Sequence, residues 1–441
     1  MSDTMDFKAK TNGMKILGLD IGTTTISAGV WQDGNVVESI TEKNSSFIQS
    51  KHPFEKIQSV DYIRDVSLNI VENLFLKYPD IERIGVTGQM HGIVYLNSNG
   101  EPESPLYTWQ DGRGDLVYKD GKTYAEFLED VTGYSVATGY GITTHFYNIK
   151  NDMVPKAAVI FCTIQDYISM CLAEKTQPMT DATDAASLGV FDVKNSCFDI
   201  EALERAGIDK TIIPHIAESP VIGRYKNMAD VYVAIGDNQA SFLGALSGNK
   251  NGMLVNIGTG SQFSVYSESY IECSKLETRP FPNGGYLLVG ASLCGGRAYA
   301  LLENFFRQVG NMLGVNAEQV YGAMDKLATE NVKDIPKIIP LFQGTRKDPF
   351  LRGSIEGLST ENFTPQHFIV GMMNGMTREL YDMYDNYLES GGKKSTLYGS
   401  GNGLRKNKYL QTCIEKMFEQ SIEICNCPEE AATGAAIFAS I

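Results

Sequence analysis

One strand–turn–strand string occurs near the start of the chain and again half a chain later, and this repetition constrains the fold more than any other feature. The first copy is Gly18-Leu19-Asp20-Ile21-Gly22-Thr23-Thr24-Thr25-Ile26. An apolar run from Lys15 to Leu19 leads into a carboxylate and a Gly-Thr-Thr bend, and a second strand-like run (Ile26 to Trp31) leads out. Asp33-Gly34, a strong hairpin signal, then turns the chain into a third run from Asn35 to Ile40. The second copy, Met253-Leu254-Val255-Asn256-Ile257-Gly258-Thr259-Gly260-Ser261-Gln262-Phe263-Ser264-Val265, has the same grammar. Duplication on this scale predicts two similar lobes, each with its own loop.

The loop chemistry suits a polyphosphate. Glycine lets backbone N–H groups approach phosphate oxygens, threonine adds hydroxyl donors, and Asp20 can hold Mg²⁺ directly or through water. An ordinary hairpin with threonine in its turn is the plainer alternative. The two copies differ before the loop, Asp20 in one and Asn256 in the other. One lobe would then position a metal while the other donates hydrogen bonds. No G-x-x-x-x-G-K-[ST] string occurs, so a P-loop is disfavoured and phosphate binding falls to the paired hairpins.

The 441 residues suffice for two or three domains, and a composition of 43% hydrophobic and 21% charged residues can bury a large core. A formal charge of −15 argues against nucleic-acid partners, which need a basic surface. Eight cysteines without a C-x-x-C pair, and only five histidines, argue against a structural metal site. No apolar run approaches the roughly 18 residues that span a bilayer, and residues 1–13 read as a loose polar tail, not a signal peptide. We expect a cytoplasmic protein with reduced thiols, no membrane or nucleic-acid partner, and a homodimer as an option.

Apolar spacing predicts a helix over Val60–Lys77, a strand over Ile81–Thr87 and a helix over Tyr124–Val131. Ala157–Cys171 reads as a strand running into a helix, and Val231–Ile235 as a short strand before a helix opened by Gly236-Asp237-Asn238-Gln239-Ala240. The Gly-rich stretch 246–252 marks a boundary between lobes 14–248 and 249–441. Strands at 253–257, 262–266 and 286–290 begin the second lobe. Helices over Arg297–Val309, Pro365–Leu388, Lys408–Phe418 and Glu429–Ser440 follow, with a strand at Ser395–Tyr398. The class is α/β, duplicated.

Five strings carry candidate chemistry or close packing. Asp237, after a glycine at a strand end, is placed to act as a catalytic base, although a carboxylate there is also a common helix cap. Gln89-Met90-His91-Gly92 and Trp109-Gln110-Asp111-Gly112-Arg113 combine amide, imidazole, carboxylate, guanidinium and indole, a set suited to a polyhydroxylated ligand. Two polar surface loops with one anchored Trp are the plainer reading. Leu397-Tyr398-Gly399-Ser400-Gly401-Asn402-Gly403-Leu404 offers a flat backbone for an adenine ring or a simple helix entry. Glu429 to Ala436 is a helix of small residues suited to close packing.

Together these strings resemble the FGGY carbohydrate kinases, built on the actin-like ATPase (ribonuclease H-like) fold of two lobes with an interlobe cleft. Asp20-Ile21-Gly22-Thr23-Thr24 looks like the first phosphate loop of that family and Gly258-Thr259-Gly260 like the second. Gly399-Ser400-Gly401-Asn402 and Thr433-Gly434 look like adenosine-side elements. Gly353-Ser354-Ile355-Glu356-Gly357-Leu358 with His367-Phe368 is similar to the C-terminal signature, with departures at Gly371 and Asn374. His145-Phe146-Tyr147-Asn148 stands where the family has a Lys-aromatic-Trp helix start. Residues 86–92, 108–113 and 289–296 resemble the sedoheptulokinase branch, and the first of these also resembles xylulokinases.

The resemblance implies ATP-dependent phosphorylation of a ketose, sedoheptulose first and a pentulose second. Asp237 would be the base and Asp20 the Mg²⁺ position. Gly22, Thr23, Thr24, Gly258, Thr259 and Gly260 would hold phosphates, with Gly399, Gly401, Asn402 and Thr433 on the adenosine side. Gln89, Met90, His91, Trp109, Asp111, Arg113 and Asn238 would face the sugar. A non-catalytic sugar- or nucleotide-responsive protein and a chaperone-like ATPase are the rivals. Retention of both Asp20 and Asp237 disfavours the first, and the polar loops at 89–91 and 109–113 have no obvious use in the second.

Overall fold

The computed structural model describes residues 13–315, 318–345, 348 and 350–441; the tail expected at 1–13 lies, but for its last residue, outside them. Contacts divide the chain into two compact units: 1–250 with 279–285 and 427–441, and 251–278 with 286–426. The second boundary departs from expectation. The last fifteen residues pack with the first unit, not with the lobe that precedes them in sequence.

The first unit is built on a seven-stranded sheet. Strands β1 (Lys15–Ile21), β2 (Thr25–Gln32) and β3 (Asn35–Lys43) form an antiparallel meander. Its β2–β3 turn has φ of 48° at Asp33 and 87° at Gly34, the left-handed pair that a tight hairpin demands. Helix α1 (Val60–Lys77) follows, with the bounds its periodicity predicts; the Ser59 side chain caps it by accepting from the Tyr62 N–H. Its buried stripe, Val60, Ile63, Ser67, Ile70, Val71, Leu74 and Phe75, recurs at three- and four-residue steps.

Strand β4 (Ile81–Gly88) lies parallel to β1. Helices α2 (Gly141–Lys150), α3 (Ile164–Leu172) and α4 (Ala182–Leu188) precede β5 (Val221–Tyr225), β6 (Ala229–Tyr232) and β7 (Ile235–Gly236). Both β6 and β7 run parallel to β4, and β7 leads directly into α5 (Asp237–Ala245). The sheet order is β5-β6-β4-β1-β2-β3, with β7 beside β4.

The second unit repeats this plan. Strands β8 (Gly252–Ile257), β9 (Ser261–Ser267) and β10 (Tyr286–Ser292) form the meander, and β11 (Thr396–Ser400) and β12 (Ile422–Ile424) add in parallel beside β8. The order β10-β9-β8-β11-β12 matches β3-β2-β1-β4-β6 strand for strand and sense for sense. Helices α6 (Gly295–Met312), α7 (Pro365–Glu389) and α8 (Lys408–Phe418) cover it. The core gathers Met253, Val255, Ile257 and Phe263 from the strands with Met372, Met376, Leu380 and Ile414 from the helices.

The last helix, α9 (Glu430–Ala439), returns to the first unit. Glycines allow it to lie almost directly on backbone. A Cβ on Gly18 of β1 would sit 1.8 Å from the Ala432 carbonyl oxygen, and one on Gly85 of β4 would sit 2.0 Å from that of Ala435. Against α5 the fit is reciprocal. A Cβ on Gly434 would meet Ala240 O at 1.7 Å, and one on Gly244 would meet Glu430 O at 1.9 Å. Among the described residues no helix is long and apolar enough to cross a membrane.

Candidate functional site

Three parallel strands of the first unit end together. Asp20 of β1 pairs with Thr87 of β4, and Thr87 pairs with Ile235 of β7, so the residues after these positions share one sheet end. Ligands of open α/β sheets gather at such carboxyl ends. From β1 comes the Gly22–Thr24 bend, from β4 the string Gln89-Met90-His91, and from β7 the start of α5.

Asp237 does not cap α5. Gly236 occupies the cap position with no side-chain cap bond, and Asp237 is the first helical residue. Its Oδ1 accepts from Asn238 Nδ2 at 2.8 Å, and the carboxylate stays half-buried. Burial raises its pKa, and the Asn238 hydrogen bond and the Arg279 charge offset part of that rise. Gly236 is pinned by its N–H to Thr183 Oγ1 at 3.0 Å, and the Ile235 carbonyl accepts from Thr87 Oγ1 at 2.7 Å. Met90 closes against this junction, its Sδ 3.8 Å from Asn238 Nδ2.

Asp20 is half-buried on the same sheet end. Burial, and then the charges of Asp237 and Glu429, push its carboxyl up to about 7. A carboxyl whose ionisation is disfavoured by burial and by neighbouring acids fits a divalent ion brought by a phosphate ligand and held through only one or two acids.

The Gly22–Thr24 bend is arranged as an anion cradle. Each carbonyl from Ile21 to Thr24 is taken from behind. Gln89 N–H bonds Ile21 O at 2.9 Å, Asn44 Nδ2 bonds Gly22 O at 2.9 Å, Gln58 Nε2 bonds Thr23 O at 3.0 Å and Asn44 N–H bonds Thr24 O at 2.8 Å. The N–H groups of Thr23 and Thr24 are left without an internal partner among the described residues. Asn44 and Gln58 are buried and belong to no motif recognised in the sequence.

The second unit follows the same logic. At the start of α6, Gly296 N–H bonds Gly258 O at 3.0 Å and Arg297 N–H bonds Thr259 O at 2.9 Å. The Gly258 N–H donates to Gly260 O at 3.0 Å and is thus paired within its own loop, against its expected use on a phosphate. The Gly399–Asn402 turn packs beside this loop: a Cβ on Gly401, at φ +90°, would lie 2.4 Å from Ile257 O. Thr433 lies on α9 in the first unit, and its hydroxyl donates to Pro428 O at 3.1 Å.

The residues expected around a sugar divide into two sets. Gln89, Met90, His91, Trp109 and Asn238 gather at the β4 and β7 ends. His91, at φ 74°, holds Ser187 O through Nδ1 at 2.7 Å and stacks on Tyr140 at 4.4 Å. Trp109 is 46% exposed and donates Nε1–H to Thr23 Oγ1 at 2.9 Å.

Asp111 and Arg113, by contrast, have no exposed surface. Asp111 Oδ1 accepts from Arg113 Nε at 2.6 Å and Oδ2 from Lys56 N at 3.1 Å. The guanidinium also bonds Asn148 and lies 4.1 Å from the Tyr107 ring centre. This corrects their expected direct contact with ligand: they are an internal ion pair that fixes the Trp109 loop. Asn148 in turn donates to Tyr95, whose hydroxyl meets His145 Nδ1 at 2.8 Å.

Two carboxylates at one sheet end beside a Gly-Thr-Thr bend, with a second Gly-Thr loop on a sheet that shares five strands of the order, agree with what the chain resembles. The family model for the N-terminal domain of the FGGY family of carbohydrate kinases matches residues 15–246, and that for the C-terminal domain matches 253–441. The chain belongs to the FGGY family of carbohydrate kinases. It is 26% identical to the sedoheptulokinase of Mus musculus over 96% of both chains. It is 23% identical to the xylulose kinase of Bacillus subtilis over 96% of this chain and 87% of that one. The crystal structure of xylulose kinase from Rhodospirillum rubrum superposes with a TM-score of 0.82 at 21% identity, covering 97% of this chain and 90% of the other. The kinase therefore has two actin-like (ribonuclease H-like) lobes and is an ATP-dependent phosphotransferase acting on a hydroxyl group.

Proposed function

We propose that this kinase phosphorylates a ketose, with sedoheptulose the preferred substrate and a pentulose such as xylulose the second choice. The observation that carries the reading is the Asp237–Asn238–Met90 junction at the strand ends, with Asp20 beside it. Support for the longer sugar comes from the sedoheptulokinase relative, which matches over 96% of its own length, against 87% for the xylulose kinase. Cytoplasmic localisation and reduced thiols belong to the same proposal.

Phosphoryl transfer asks for positioning and charge stabilisation more than covalent chemistry. The Asp237 carboxylate accepts the proton of the attacking hydroxyl, and Asn238 and Met90 keep that carboxylate aimed. Gln89, His91 and the exposed face of Trp109 bind and orient the sugar. The N–H groups of Thr23, Thr24 and Thr259 receive phosphate oxygens, and the Gly399–Asn402 turn receives the adenosine. Asp20 would hold Mg²⁺, which when bound neutralises charge on the phosphates. A panel of ketoses and aldoses, read by ADP release and by product mass, tests this. A phosphorylated heptulose formed faster than a phosphorylated pentulose supports the reading. ADP release with aldoses or polyols alone would overturn it.

A further inference from the structure

We propose that Gln58 is a positioning residue that locks the phosphate cradle to the sugar-facing strand end. The proposal rests on the nucleotide reading of the Gly22–Thr24 bend. Gln58 sits on a two-residue strand, Ile57–Gln58, with no exposed surface. Its Nε2 donates to Thr23 O at 3.0 Å, and its Oε1 accepts from Gln89 Nε2 at 2.8 Å. Gln89 Oε1 accepts from Thr23 Oγ1 at 3.2 Å, so the contacts close a ring through the backbone and side chain of Thr23. Trp109 feeds the ring from outside by donating Nε1–H to Thr23 Oγ1 at 2.9 Å.

Two consequences follow from counting donors and acceptors. A threonine hydroxyl has one proton, and in Thr23 it is committed to Gln89, so Thr23 serves a phosphate through its N–H and not its hydroxyl. Each amide has one orientation that satisfies its neighbours, so rotating Gln89 or moving Trp109 changes the bonds that hold the cradle. A sugar packing on the half-exposed indole and a phosphate on the bend are thereby linked, and linkage of this kind is reciprocal.

The test uses the full-length kinase and two variants, titrated with MgADP by calorimetry and assayed with ATP and ketose. Gln58→Met keeps length and volume but removes both polar ends. Gln58→Glu keeps the acceptor for Gln89 and loses the donor to Thr23 O. Both variants are expected to bind MgADP about tenfold more weakly and to raise KM for ATP by a similar factor. Gln58→Met is expected also to raise KM for the sugar, because Gln89 loses its anchor, whereas Gln58→Glu leaves that value near wild type.

A merely structural role would lower the thermal midpoint and kcat through loss of folded enzyme while leaving the affinity of the folded fraction unchanged. That result, or wild-type MgADP affinity in both variants, overturns the proposal. If the wild type binds MgADP but phosphorylates no ketose, the ketose reading fails while Gln58 is still judged on the affinities. Absence of MgADP binding by the wild type overturns both.

Discussion

Asp237 combines a raised pKa with a half-buried carboxylate whose partners are the side chain and backbone N–H of Asn238 and the charge of Arg279. A general base of this kind contributes about 10²–10⁴ in rate. Asp237→Asn is therefore expected to lower kcat by that factor while MgADP affinity, measured by calorimetry, stays near wild type. Asp20→Ala is expected to weaken the Mg²⁺ dependence of turnover; an unchanged metal titration would remove Asp20 from that role. His145 offers a pH prediction away from the reacting groups. Burial lowers its pKa from 6.5 to about 4, and the hydroxyl of Tyr95 meets its Nδ1. The unfolded chain takes up this proton first, so the contribution of His145 to stability is complete above about pH 6.5 and is lost as pH falls toward about 4. Denaturation midpoints against pH should fall across that window, and the slope should flatten in His145→Phe. An equal slope in the variant would assign the effect to other groups.

At the scale of elements, α9 and α5 are held at backbone contact by Gly434 and Gly244. Alanine is the better helix former by about 1 kcal/mol, but a Cβ at 1.7 Å from Ala240 O must push the helices apart, and overpacking costs typically about 1–3 kcal/mol. Gly434→Ala is therefore expected to lower the thermal midpoint; a rise would show that helix propensity outweighs the close approach. Elements with strong local signals were legible in the sequence. Val60–Lys77 and Lys408–Phe418 form helices with the predicted bounds, because periodic burial and a side-chain cap at each N-terminus agree. The strand–turn–strand repeat and the Gly236–Asp237 helix entry were legible because a glycine breaks the chain at the end of each apolar strand run.

Other features depend on partners distant in sequence. Gln58 and Asn44 reach the bend from 35 and 22 residues away, and no local pattern marks a glutamine as a brace. Asp111 and Arg113 read as ligand groups because spacing cannot show that a carboxylate and a guanidinium two residues apart satisfy each other in the interior. The boundary at 248/249 assigns residues 427–441 to the second lobe by sequence order, whereas the glycine contacts of α9 place that helix on β1, β4 and α5.

For the whole molecule, the duplicated sheet order explains how one grammar, an apolar strand with a glycine-threonine bend, recurs with different pre-loop residues, Asp20 and Asn256. If both loops serve the nucleotide, MgADP at a hundred times its dissociation constant should stabilise the folded protein by about 2.7 kcal/mol, seen as a raised thermal midpoint. Thr259→Pro, which removes the loop's N–H donor, should reduce that shift, and an undiminished shift would exclude the second loop. The most direct test of the account is product analysis of wild type and Asp237→Asn incubated with MgATP and sedoheptulose. The account predicts stoichiometric ADP and sugar phosphate from the wild type and a loss of at least about a hundredfold in the variant. Sugar phosphate formed by Asp237→Asn at the wild-type rate would contradict it.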